Sequence, residues 1–238
     1  MAINVIVSQL GLPGLNGADG DDAPFSSNSR IVLFDDFLCN STGGNVGWTT
    51  NVLSGGTIAI TDSESNHSGI MRLSTGSSSS TAHAAFHLGT KSLYIGNGQI
   101  TIEGLIRLVT LSTSSERYIF RFGLGDTTNT SFDNGIFLEY DEITSANWRI
   151  CASASASATK TTSLTTVTEN VWIKLKIVIN AAGNSVEYFV NGTSIGTVAT
   201  TIPTQSSPRI QIVKSVGTTA RTVEIDYYSL DMPLSVSR

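Results

Sequence analysis

Residues 171–193, VWIKLKIVINAAGNSVEYFVNGT, decide the fold of this chain. Val171, Ile173, Leu175, Ile177 and Ile179 share one parity, and Trp172, Lys174, Lys176 and Val178 take the other. Such alternation marks a half-buried strand, because successive side chains leave opposite faces of a sheet. Ala181-Ala182-Gly183-Asn184 then supplies residues suited to a turn. A second alternating run, Val186 to Val190, returns from it. Asn191-Gly192 is a two-residue type I′ turn signal leading into Ser194 to Val198. Burying the five odd-numbered aliphatics would contribute about 8–15 kcal/mol gross, at roughly 1.5–3 each. That is comparable with the net stability of a whole domain, so the stretch is expected to be a core meander.

Working outward, the chain reads as strand after strand. Towards the C-terminus come Arg209 to Lys214 and Thr222 to Leu230. Towards the N-terminus, Trp148 to Cys151, Gly135 to Tyr140, Tyr118 to Leu124, Gln99 to Val109, His83 to Leu88, Gly69 to Ser74, Thr57 to Thr61 and Ile31 to Phe34 are each bounded by turn-forming residues. Gly43-Gly44 with Gly47-Trp48 marks a loop. No stretch sustains a 3.6 period. About a dozen short strands with this punctuation predict an all-β fold, an antiparallel two-sheet jelly-roll β-sandwich over residues 31–238. Ala152 to Ala158, alternating Ser and Ala, has two readings: a flat strand whose small side chains let another surface approach, or a low-complexity loop.

The first thirty residues differ from the rest. Ile3, Val5 and Val7 form a short β-prone run, and Gly11, Gly14, Gly17 and Gly20 then recur at every third position. That is the collagen spacing, required where only glycine fits at the axis of three polyproline II chains. A flexible Gly-rich linker is the alternative. Residues 1–30 are thus expected to be an extended attachment arm, with the collagen-like segment at 11–20 permitting a homotrimer.

Composition limits the function. Charged residues make up only 14% of the 238, with a net charge of −5 and no Lys/Arg cluster. Nucleic acid is therefore not an expected partner, since phosphate binding needs a basic face. No apolar run approaches the roughly 20 residues of a membrane span, so a membrane is not expected either. Met1 to Leu10 lacks the basic and apolar regions of a secretion signal, which points to synthesis in a cytoplasm. Without a secretory route, the Asn-x-Ser/Thr sequons at Asn40, Asn66, Asn129 and Asn191 carry little meaning. Cys39 and Cys151 are read as buried thiols rather than a disulfide.

Candidate chemistry is sparse. Glu224-Ile225-Asp226 begins like the paired-carboxylate strand of jelly-roll β-glucanases, where a retaining enzyme holds two carboxyls about 5–5.5 Å apart. Ser229 stands where the second glutamate belongs, so Glu224 and Asp226 read as solvated strand positions. His83 and His87 are about 13 Å apart on a strand, too far for one metal ion. Both, like His67, read as exposed or core histidines. No G-x-S-x-G elbow anchors a serine triad. Asp126, Asp133 and Asn134 present clustered oxygens that suit Ca²⁺, and ordinary turn chemistry accounts for the same residues. No catalytic residue and no other cofactor is expected.

The order of several motifs resembles a known family. Phe34-Asp35-Asp36-Phe37, Gly47-Trp48, Gly69-Ile70 and Leu73-Ser74-Thr75-Gly76 are similar to a concanavalin A-like (lectin/glucanase, LamG-like) jelly roll of tailed-bacteriophage virion proteins. Phe122 to Asp126, Gly135 to Asp141, Asn147-Trp148-Arg149, Phe189 to Gly192, Ile202-Pro203 and Lys214 to Tyr227 continue the match across about Ile31 to Leu230. The resemblance implies a non-catalytic virion appendage: a capsid decoration, head fibre or short tail fibre. It also implies homotrimers, docking on other virion proteins through the N-terminal arm, and host-surface glycans as ligands. A polysaccharide-degrading hydrolase, or a capsid decoration without receptor binding, are the alternatives.

Overall fold

The computed structural model describes residues 30–38, 46–78, 81–127, 132–141 and 145–234. The candidate attachment residues Ile3, Val5, Val7, Gly11, Gly14, Gly17 and Gly20 lie outside them, as does Cys39. The described residues form seventeen strands and no helix. They are β1 (Arg30–Asp35), β2 (Thr49–Leu53), β3 (Thr57–Thr61), β4 (Ile70–Ser74), β5 (His83–His87), β6 (Leu93–Tyr94), β7 (Ile100–Leu108), β8 (Arg117–Gly125) and β9 (Gly135–Asp141). There follow β10 (Ser145–Ala154), β11 (Ser157–Thr166), β12 (Trp172–Ile179), β13 (Val186–Val190), β14 (Thr193–Val198), β15 (Gln205–Ser206), β16 (Pro208–Val216) and β17 (Thr222–Pro233).

They build two antiparallel sheets. The first runs β14-β13-β12-β7-β17-β4-β3, with β1 also paired to β17. The second runs β11-β10-β9-β8-β16-β5-β2, and β15 pairs with β6 apart from both. Neighbours distant in sequence, such as β17 between β7 and β4, mark the crossed connections of a jelly roll. The fold is an all-β jelly-roll sandwich, as the alternation predicts.

The 171–193 stretch becomes β12, β13 and the start of β14. Asn191 and Gly192 both take positive φ, 49° and 80°, and Val190 pairs directly with Thr193, which makes the expected two-residue turn. Ile173, Leu175, Ile177 and Ile179 are buried. Val171 is the exception: it precedes β12 and is 47% exposed, so four of the five aliphatics enter the core. These four meet Phe120, Phe122, Ile136, Leu138, Trp148 and Ile212 in one core cluster between the sheets.

Two segments depart from the sequence reading. Thr49–Leu53, exposed at every position, forms the edge strand β2, pairing with β5 despite its lack of an apolar face. The Ser/Ala run is neither one strand nor a loop. It is a hairpin in which Ala154 pairs with Ser157 across Ser155 and Ala156, both at positive φ (50° and 63°). Positive φ at both central residues is the type I′ requirement that Asn-Gly usually signals.

The Phe34-Asp35-Asp36-Phe37 motif has a structural role. Asp35 is fully buried, accepting hydrogen bonds from the Phe37 amide at 2.9 Å and the Trp48 indole at 3.0 Å. It ties β1 to the turn before β2, which explains why an acidic residue stands inside an apolar motif.

Candidate functional site

On most half-buried sheets the outer face is polar and wet. The outer face of the second sheet is instead largely buried, and it carries charge. Register explains the assembly: Gln211 of β16 pairs with Arg121 of β8, Arg121 with Glu139 of β9, and Glu139 with Arg149 of β10. Cross-strand partners in one row share a face, so these side chains meet. Glu139, with no exposed surface, accepts from Arg121 Nε at 2.6 Å and lies 3.0 Å from Arg149 Nη1. Lys160 Nζ reaches both of its oxygens from β11 at 3.2 Å. Arg149 also pairs with Asp141 at 3.1 Å. Burial opposes ionisation of Glu139, but the Arg121, Lys160 and Arg149 charges outweigh it and hold the carboxyl below its usual range.

Beside this network lies a cavity of about 170 Å³ lined by Arg121, Phe132, Phe137, Ser153, Ala156, Ala158 and Lys160. Phe132 and Phe137 pack with ring centroids 4.6 Å apart, and the Arg121 guanidinium lies 4.6 Å from the first ring and 5.3 Å from the second. With Cys151 the two rings form a small apolar cluster apart from the main core. Space for them comes from paired glycines. A Cβ on Gly125 would stand 2.4 Å from Phe132, and one on Gly135 would stand 2.8 Å from Phe137. Ser153 Oγ donates to the Phe132 carbonyl at 3.0 Å, and the Ala156 amide donates to the Asp133 carbonyl at 3.0 Å. The Ser/Ala hairpin therefore anchors the segment that carries Phe132, and its small side chains leave the cavity open. The close approach expected of a flat strand is thus made by a hairpin instead. Burial pushes the Cys151 thiol up, which fits an inert buried cysteine.

The residues singled out in the sequence fall elsewhere. Glu224 is not a solvated strand position: it is 1% exposed, held by Arg72 Nε at 2.9 Å and Arg107 Nε at 2.8 Å. A carboxylate buried on the sheet needs such partners. Asp226 pairs with His67 Nδ1 at 3.0 Å, and the His67 ring stacks on Trp172 at 4.4 Å. Glu224 is thus held in ion pairs, and Asp226 by its contact with His67, on the outer face of the first sheet. His83 and His87 share β5 without converging. His83 meets Asn51 Oδ1 at 2.7 Å, and His87 meets the Gly89 carbonyl at 3.2 Å.

Asp126 Oδ2 accepts from both the amide and the side-chain nitrogen of Asn134 at 2.9 Å. Asp133 is exposed, and the buried Arg209 guanidinium lies in the field of Asp126. The Asn134 contacts are those of a local turn, and a cation beside Asp126 would meet the Arg209 charge. Among the described residues no three His, Cys, Asp or Glu side chains converge as metal ligands. The sequence reading missed Arg121, Glu139, Arg149, Lys160, Phe132 and Phe137. The available signal was a Phe-x-Glu-x-Asp alternation in β9 with Arg on both neighbouring strands.

Known structures share the fold at low identity. The Shewanella oneidensis MR-1 protein SO2946, described as of unknown function, superposes with a TM-score of 0.64 at 15% identity over 89% of this chain and 90% of that one. The carbohydrate recognition domain of Emp47p gives 0.57 at 15%, over 90% and 100%. A Bacillus licheniformis β-glucanase gives 0.52 at 15%, over 84% and 97%. No curated protein matches the sequence. These neighbours, a carbohydrate recognition domain and a β-glucanase among them, share the fold of this chain. A family model described as SO2946-like, C-terminal domain, matches residues 66–226, and the chain belongs to that family.

Proposed function

We propose that this chain is a non-catalytic, carbohydrate-binding jelly roll displayed on a bacteriophage virion, as a capsid decoration, head fibre or short tail fibre. The cavity on the outer face of the second sheet carries the reading. A small concavity floored by aromatic residues, with the partly exposed Lys160 at its mouth, holds the kinds of group that recognise a sugar ring. The same architecture serves as the carbohydrate recognition domain of Emp47p. The non-catalytic reading is supported by Glu224 and Asp226, the carboxyls nearest to a glucanase pattern, each being held by a basic side chain rather than standing free as a pair.

The virion setting is supported by the order of motifs over residues 31–230 and by glycine at 11, 14, 17 and 20. In this reading the arm holds three copies together and docks Ile3, Val5 and Val7 as a strand on a capsid or tail protein. A glycan array probed with the full-length protein tests the function. Binding to bacterial surface saccharides that Phe132→Ala weakens at least tenfold is expected. Binding unaffected by Phe132→Ala, or none, would overturn it.

A further inference from the structure

Strand β1 carries an apolar run that one copy of the chain leaves half uncovered. We infer that Val32, Phe34 and Leu38 form the surface through which copies of this chain pack against one another around a threefold axis. This rests on the three-copy arm of the reading above and gives that assembly its contact on the jelly roll.

Ile31-Val32-Leu33-Phe34 is apolar at successive positions, the pattern of a strand covered on both faces. Its inner half is covered, since Ile31 and Leu33 pack against the main core. Its outer half is not. Val32 is 51% exposed, Phe34 56%, and Leu38, just past the strand, 61%. Along the cross-strand row that leads to Phe34, the outward side chains are Lys176 of β12, Glu103 of β7 and Ser229 of β17, as a wet face requires. The row turns apolar at β1. Phe34 is also held in place: its ring stacks on Tyr227 with centroids 6.0 Å apart, and the Tyr227 hydroxyl donates to Glu103 at 2.8 Å. A fixed and exposed aromatic ring loses little entropy on being covered, which suits an interface anchor.

The chain itself says what covers the patch. Residues 21–29 separate Gly20 from Arg30, where β1 begins, and a link of that length reaches about 33–36 Å at most. Three chains joined through Gly11 to Gly20 therefore keep their β1 strands within that reach of a common axis. Tethering of this kind sets a roughly millimolar effective concentration, at which a patch too small to hold free copies together becomes sufficient. Three Phe34 rings, with Val32 and Leu38 around them, then cover one another at the axis. The patch lies on the outer face of the first sheet and the cavity on the outer face of the second. This contact thus leaves each cavity turned away from the axis, open to a ligand.

Sedimentation of the full-length protein across a range of concentrations tests the assembly. The native chain is expected to be a trimer, and Phe34→Ser to weaken it by about tenfold or more, with melting curves recorded to separate assembly from folding. A second measurement keeps the ring in place: p-benzoylphenylalanine at position 34, on irradiation, should join one copy to residues 30–38 of another. A trimer that Phe34→Ser leaves unchanged would sink the β1 contact and leave the arm as the joint. Cross-links confined to one chain, running from position 34 to residues 1–29, would give the patch to the chain's own arm and overturn the inference as well. A native chain that sediments as a monomer would remove both the contact and the three-copy arm, with the carbohydrate-binding reading still standing on the glycan array.

Discussion

Glu139 concentrates the energetics of the second sheet in one side chain. It is fully buried and is met by Arg121, Arg149 and Lys160. Removing its charge takes away the counter-ion those three cations share, so Glu139→Gln is expected to lower unfolding free energy by about 3–5 kcal/mol, read from urea midpoints. The same residue sets an acid limit. Its folded carboxyl titrates below the ordinary value of 4.5, so it adds stability above that pH and loses it as pH falls through the depressed value. Stability of the native chain should therefore drop on acidification below about pH 4.5, and Glu139→Gln should flatten that slope. An unchanged slope would assign the acid sensitivity to other carboxylates.

Among the elements, the β10–β11 hairpin and the paired ends of β8 and β9 shape the cavity. Ala156 sits at φ 63°, where a Cβ costs about 1–2 kcal/mol. Ala156→Gly should raise the melting point by relieving that strain, and a fall would argue against the type I′ turn. Gly125 faces the opposite constraint, since an added Cβ would stand 2.4 Å from the Phe132 ring and 3.0 Å from Arg209 Cδ. Gly125→Ala is expected to cost about 1–3 kcal/mol through overpacking and to displace Phe132. Glycan binding should suffer more than folding, a split visible by comparing binding isotherms with denaturation curves.

Across the whole molecule, long-range pairing governs folding. Strand β17 lies between β7 and β4 in the first sheet and also pairs with β1, joining residues about two hundred positions apart. A chain ending at Arg221 would lose the centre of that sheet, so it should show no cooperative denaturant transition. Such topology also predicts slow folding, on the order of milliseconds to seconds. Limited proteolysis is expected to leave a stable core beginning between Ser26 and Ile31, because β1 starts at Arg30 and is zipped along its length to β17. Cuts spread through residues 46–234 would contradict one cooperative unit.

The sequence by itself determined the all-β class, the positions of most strands and the meander at 171–193, because alternation and turn chemistry are local signals. Residues such as Leu175 and Ile177 announce their face by parity alone, and Asn191-Gly192 announces its turn by φ. The edge strand β2 escaped notice because it buries neither face and so carries no pattern. The Ser/Ala hairpin escaped because its strained turn lacks the usual residues. The candidate site was decided only by the tertiary structure. Arg121, Glu139, Arg149 and Lys160 lie on four strands, and ordinary half-buried alternation would send each of them to solvent. Only the lateral register of β8 to β11, and the glycines that let Phe132 and Phe137 close over that face, turn four separate surface charges into one buried network beside a cavity.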